Sequence, residues 1–157
     1  MSDIPFNDAS AMQTLISADF GSWSNPLHID QELINQFAEL SGDHMWMHVN
    51  EERCVADSPF GTTIAHGFLT LVLMSKMTGG ESRISHISGY QNIMNYGSDK
   101  LRFTGAVPVD SKIHCRSRIK SVDVSAHKTT VTQEMHIHVV GQDERPVVVY
   151  ELIVVFI

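Results

Sequence analysis

The chain has 157 residues, 43% of them hydrophobic and 18% charged, with a formal net charge of −7. That suits one globular domain over residues 1–157 with a core of its own, and the modest charged fraction leaves surface for an oligomer contact. An acidic chain of pI about 5.6 is a poor nucleic-acid binder, and no apolar run approaches the roughly 20 residues that cross a bilayer.

Residues 1–20 lack the basic start of an export signal. Cys54 and Cys115 have neither metal nor redox spacing. The expectation is a cytoplasmic protein with two reduced thiols. Charge is unevenly placed: nine acids and no Lys or Arg precede Arg53, so the net charge divides into −9 before it and +2 from there on. Seven of the eleven basic residues lie between Lys100 and Lys128. They could meet a phosphate-bearing small molecule or an acidic carrier protein; an ordinary solvated sheet face is the plainer alternative.

Residues 1–29 show little periodicity, with a turn signal at Ser24-Asn25-Pro26. Asp30 reads as an N-cap with Glu32 in the first turn. Leu33, Ile34, Phe37 and Leu40 follow at helical spacing, and Gly42 stands where a helix-ending glycine belongs. Residues 49–56 suggest a short second helix. Residues 63–77 are apolar on almost every side, which predicts a helix buried all round and ended by Thr78-Gly79-Gly80.

The second half predicts strands to wrap that helix. Residues 91–103 contain strand-like pieces, and Pro108-Val109-Asp110-Ser111 reads as a turn. Ile113, Cys115, Ser117 and Ile119 alternate with basic residues, and Val131, Met135, Ile137 and Val139 alternate with polar ones. Gly141-Gln142-Asp143-Glu144 suggests a hairpin loop. Residues 147–157 are almost continuously β-branched and aromatic, so both faces of that strand should be covered. Helices followed by antiparallel strands give an α+β domain.

The stretch most suggestive of chemistry is Ser41-Gly42-Asp43-His44-Met45-Trp46-Met47-His48. It places a carboxylate and an imidazole, the commonest acid–base groups, five residues apart past a helix end. Gly61 to Leu69 then reads as a helix opening, where backbone N–H groups suit developing negative charge. His66 in it serves loop geometry more readily than chemistry, and Trp46 packing more readily than substrate contact.

Phe37-Ala38-Glu39-Leu40-Ser41-Gly42-Asp43 with His48 resembles the hydratase motif of the MaoC-like dehydratases, the (R)-specific enoyl-CoA hydratases. Gly61 to Leu69 and Asn95-Tyr96-Gly97-Ser98-Asp99-Lys100-Leu101-Arg102-Phe103 extend the match, which covers roughly residues 25–157. The commoner motif has Asn and Pro where this chain has Met45 and Trp46, which bears on substrate range. The resemblance implies a hot dog fold, an antiparallel sheet wrapped around a long central helix, dimerised edge to edge.

It also implies the reversible hydration of a trans-2-enoyl thioester to the (R)-3-hydroxyacyl thioester. Asp43 would orient and deprotonate the water, His48 would share proton transfer at the α-carbon, and the Gly67 N–H would stabilise the enolate. Ser75 aligns, with a gap of one, with a position that supports the Asp; an ordinary buried helix serine is the alternative. Trp46 and His66 would border the substrate, with Lys100 and Arg102 meeting its phosphates. No metal or separate cofactor is expected, since coenzyme A or acyl carrier protein arrives as part of the substrate.

Three rivals are open. A metal hydrolase could use His44, His48 and His66, but Met45 stands where the zincin motif needs Glu. A thioesterase of the same fold lacks the Gly-Asp-x4-His pattern. A non-catalytic acyl-thioester binding or assembly subunit would have no need of both Asp43 and His48.

Overall fold

A computed structural model describes residues 3–80, 82–125, 127–142 and 144–157. Among these residues no helix is long and apolar enough to cross a membrane. The N-terminus forms β1 (Ile4–Pro5) and α1 (Ala9–Gln13), the latter capped by the Asp8 carboxylate on the Ala11 N–H. Neither is visible in the weak periodicity of residues 1–29. β2 (Leu27–Ile29) leads into α2 (Gln31–Ser41), which begins and ends as its sequence indicates. The Asp30 side chain accepts from the Leu33 N–H at 2.8 Å, and Gly42 turns left-handed at φ 76°.

The short helix expected over residues 49–56 is present as α4 (Glu51–Asp57), and a turn of helix the sequence does not signal, α3 (Trp46–Val49), precedes it. Asn50 separates them, and its side chain caps α4 by accepting from the Arg53 N–H at 2.9 Å.

The central helix is shorter than predicted. α5 covers Gly67–Val72 and continues as a 3-10 turn over Leu73–Lys76. Residues 63–66 stay extended because their backbone groups are committed elsewhere: Ile64 N–H to Met47, Ala65 N–H to Val107, and the Thr63 carbonyl to the Val109 N–H. Nor is the helix buried all round. Leu69, Thr70 and Leu73 face inward, whereas Phe68 is 59% and Val72 53% exposed.

β3 (Ile87–Ser88) pairs with β1. β4 (Ile93–Phe103), β5 (Ser111–Val124), β6 (Thr129–Val139) and β7 (Val148–Phe156) join β2 in an antiparallel sheet of order β2-β5-β6-β7-β4. The expected turn before β5 is present, with Asp110 at φ 62°. The expected 141–144 hairpin loop includes Asp143, which lies outside the described residues. One sheet face packs Ile113, Cys115, Ile137 and Val148 against Leu69 of α5 and Leu73 of the 3-10 turn that follows it, the hot dog arrangement. A second core gathers Met12, Leu15, Ile119, Val154 and Phe156. These two cores explain the near-continuous apolar run of β7, which is an interior strand; the edges of the sheet are β2 and β4.

The other sheet face is not simply solvated. Residues 17–24 run along β5, with backbone bonds from Ser17, Gly21 and Ser24 to Ile119, Ser117 and Cys115. Trp23 stacks on His114 at 3.9 Å, and the Arg116 guanidinium stands 4.4 Å over its ring. Arg118 pairs with Glu134 at 2.6 Å and Lys120 with Glu151 at 2.8 Å. Much of the basic 100–128 stretch is therefore engaged within the chain.

Candidate active site

Gly42 ends α2 and releases the chain into the loop that carries Asp43. The Asp43 carboxylate is exposed, and its Oδ1 accepts from the Met45 N–H at 3.2 Å, a local turn that fixes its direction. Five residues on, α3 presents the buried ring of His48. Its Nδ1 lies 2.7 Å from the Ile64 carbonyl oxygen. A carbonyl only accepts, so Nδ1 carries a proton, and the lone pair available for chemistry is the one on Nε2.

His66, the residue before α5, joins the two. Its Nε2 donates to the Asp43 backbone carbonyl at 2.9 Å, and its ring stacks on His48 with centroids 3.8 Å apart and planes 28° from parallel. Burial lowers the His66 pKa below the usual imidazole value, and the bond to Asp43 opposes that shift. One nitrogen or oxygen donor from each of Asp43, His48 and His66 lies within 4.8 Å of the others. His66 thus ties the start of α5 to the Asp43 loop and to the His48 ring. His44 stays outside this group, 3.7 Å from the Glu39 carboxylate.

Two supports carry no sequence signal. Gln31, an ordinary first residue of α2, donates from Nε2 to the His48 carbonyl at 2.8 Å and accepts from the Thr63 hydroxyl. Ile64 contributes only its carbonyl oxygen, a group that every residue has.

A cavity of about 230 Å³ opens beside His48, bordered by Ile64, Gly67, Thr70, Phe103 and Val147. Gly67 opens α5, so its N–H has no intrahelical acceptor. The remaining expected site residues stand apart. Trp46 is half-buried beneath the Arg53 guanidinium, 4.3 Å from the ring centre, and does not line this cavity. Ser75 sits eight residues beyond Gly67, roughly 12 Å along a helix, and is exposed rather than buried. It borders a separate cavity of about 330 Å³ with Asn95, Cys115, Ser117 and Gln133. Within one chain it supports neither Asp43 nor His48.

Lys100 and Arg102 are exposed on the edge strand β4. Phe103 meets Gly67, so side-chain alternation sends its neighbour Arg102 to the opposite sheet face. Lys100 lies across from Glu151 on β7. Neither lines the His48 cavity of its own chain.

The model of the MaoC like domain matches residues 14–141. The 3-hydroxyacyl-thioester dehydratase Z of Mycobacterium tuberculosis is 43% identical over 95 residues, covering 60% of this chain and 60% of that protein's length. Nodulation protein N of Rhizobium meliloti is 38% identical over 141 residues, 85% of this chain and 84% of that one. The crystal structure of a MaoC-like dehydratase from Rhodospirillum rubrum superposes with a TM-score of 0.72 at 19% identity, covering 92% of this chain and 94% of that one. That similarity establishes the fold.

Proposed function

The chain belongs to the MaoC-like domain family, and we propose that it catalyses the reversible addition of water to a trans-2-enoyl thioester, forming the (R)-3-hydroxyacyl thioester. The observation that carries this reading is the close approach of Asp43 and His48 donor atoms with the His48 Nδ1 proton held by the Ile64 carbonyl. That bond leaves His48 Nε2 as a proton acceptor. The dehydratase name borne by the Mycobacterium tuberculosis relative supports the same chemistry.

In the hydration direction Asp43 orients the water and takes its proton while the oxygen bonds to the β-carbon. His48 takes part in delivering a proton to the α-carbon. Between these events negative charge gathers on the thioester oxygen, and the Gly67 N–H stabilises it. Dehydration reverses each step. The reaction needs no separate cofactor, because coenzyme A or acyl carrier protein enters as part of the substrate. Two buried free thiols fit a cytoplasmic setting.

We place a second copy of the chain against β4. The free edge of this strand, together with exposed Phe68, Val72, Met94 and Tyr96, would otherwise stay open to solvent. In such a dimer Lys100 and Arg102 belong to the contact zone, where they are placed to meet the phosphates of a substrate seated in the neighbouring copy.

The test is a panel of 2-enoyl-CoA thioesters of increasing chain length, followed by loss of enoyl absorbance and chiral analysis of the product. Release of free thiol instead would favour a thioesterase. Tight acyl-CoA binding without turnover would favour a non-catalytic subunit.

A further inference from the structure

We propose that Gln31 is a positioning residue for His48, closing with Thr63 a circuit of hydrogen bonds that grips the histidine by its main chain and its ring together. The effect on rate rests on the hydration proposed above; the hold on the ring does not.

His48 lies on α3, a helix of four residues, and one turn of helix has almost no stability of its own. Its direction is therefore set by the groups that bond to it from outside. The Met47 carbonyl accepts from the Ile64 N–H at 3.0 Å. The next carbonyl, that of His48 itself, accepts from Gln31 Nε2 at 2.8 Å.

The Gln31 amide has little freedom left. Its nitrogen also donates to Asn35 Oδ1 at 2.9 Å, and its oxygen accepts from the Thr63 hydroxyl. A main-chain carbonyl cannot donate, so the bond to His48 decides which end of the amide is nitrogen. Thr63 is wholly buried, and its own carbonyl is held by the Val109 N–H at 2.9 Å.

From the His48 carbonyl the circuit runs through Gln31 to the Thr63 hydroxyl and along the main chain to Ile64. It returns from the Ile64 carbonyl to His48 Nδ1, 2.7 Å away. With main chain and ring both tied to residues 63–64, the side-chain torsions between them have one setting and Nε2 has one direction. Loss of the Gln31 amide opens the circuit at two bonds and lets α3 shift against that segment. A reacting group displaced by about 1 Å can lose on the order of 10² in rate. Gln31 thus acts on catalysis through His48, without lining the cavity beside it.

The experiment measures kcat and KM of the full chain for Gln31→Leu, Thr63→Val, Thr63→Ser and the Gln31→Leu/Thr63→Val double variant, at a temperature where circular dichroism shows each folded. Gln31→Leu and Thr63→Val should lower kcat roughly ten- to hundredfold with KM little changed. Thr63→Ser keeps the hydroxyl and should stay close to wild-type kcat. The double variant should be little slower than the slower single one, because the two side chains share one network. Ring-nitrogen resonances of histidine, recorded well above the ordinary imidazole pKa of about 6.5, give a readout independent of turnover. His48 should show the Nδ1-protonated form alone in the wild type and a mixture of tautomers in Gln31→Leu. Should Gln31→Leu fail to fold, Gln31→Asn and Thr63→Val carry the same tests. Wild-type kcat in a folded Gln31 variant, additive losses in the double variant, Thr63→Ser as slow as Thr63→Val, or an unchanged His48 spectrum would overturn the proposal. A wild-type chain with no turnover removes the hydratase reading instead, and the spectra alone then decide the hold on the ring.

Discussion

A methyl group placed on Gly67 would lie 2.9 Å from Cδ1 of Phe103 and 3.0 Å from its Cγ. Ring atoms so near the backbone of Phe103 move only if the whole side chain changes rotamer. Gly67→Ala should therefore cost about 1–3 kcal/mol of stability from overpacking and displace the backbone of Gly67 beside the cavity. Thermal unfolding and kcat check this, and Phe103→Leu in the same chain should recover part of both. A Gly67→Ala protein of wild-type stability and rate would show that the contact imposes nothing.

Asp43→Asn keeps the shape of the side chain and removes its proton acceptance. Hydration should slow by roughly 10²–10⁴ with the fold intact, and His48→Ala should behave similarly. The double variant should be little worse than the slower single one, because the two groups act as a unit. Near-normal turnover of Asp43→Asn on the best substrate would remove Asp43 from the mechanism.

Sedimentation equilibrium should find a dimer. Tyr96→Lys combined with Val72→Lys puts charge on two exposed apolar positions of the β4 and α5 surface and should yield a folded monomer. A wild-type monomer across a wide concentration range contradicts the proposed assembly. A variant that stays dimeric moves the contact elsewhere.

Arg102→Ala and Lys100→Ala should raise KM more than they lower kcat, the sign of lost uniform binding. The effect should shrink at high ionic strength, since exposed charge contacts are screened. An unchanged KM and salt dependence would leave both residues as surface charges facing away from the site.

Acid should destabilise the β5–β6 face in two stages. Burial lowers the His136 pKa, and Glu134 only partly opposes it. A histidine depressed in the folded state contributes stability above its unfolded value of about 6.5 and loses it as pH falls toward the folded value. Burial would raise the Glu134 pKa, but its bonds to Arg118 and His136 outweigh that and hold it below the usual carboxylate value. Its contribution is full above the unfolded value, about 4.3, and is lost as pH falls through the folded one. Urea unfolding at stepped pH should show both losses; His136→Gln should shrink the upper stage, leaving the share of buried His66, and keep the lower. A variant whose profile matches wild type between pH 7 and 5 would show that His136 plays no such part.

By itself the sequence determined the locally encoded features. Asp30 and Gly42 bound α2 because capping and left-handed turns are chosen by single residue types. The alternation in β5 and β6 fixed which residues face the core, because a strand's side chains reverse at every step. The Asp43–His48 spacing was legible for the same reason, since both residues lie on one short stretch.

Tertiary structure decided what depends on groups distant in the chain. The apolar run over residues 63–77 reads as one helix, yet Met47, Val107 and Val109 claim the backbone of residues 63–65, so α5 begins only at Gly67. The run in β7 reads as a strand covered on both faces, but its interior place follows from pairing with β6 and β4. Ser75 and Gly67 border different cavities because eight residues separate them, with α5 giving way to a 3-10 turn before Ser75 is reached. The tautomer of His48 is set by the carbonyl of Ile64, sixteen residues away. Main-chain carbonyls are alike in every residue, so folding alone selects the one that orients this ring.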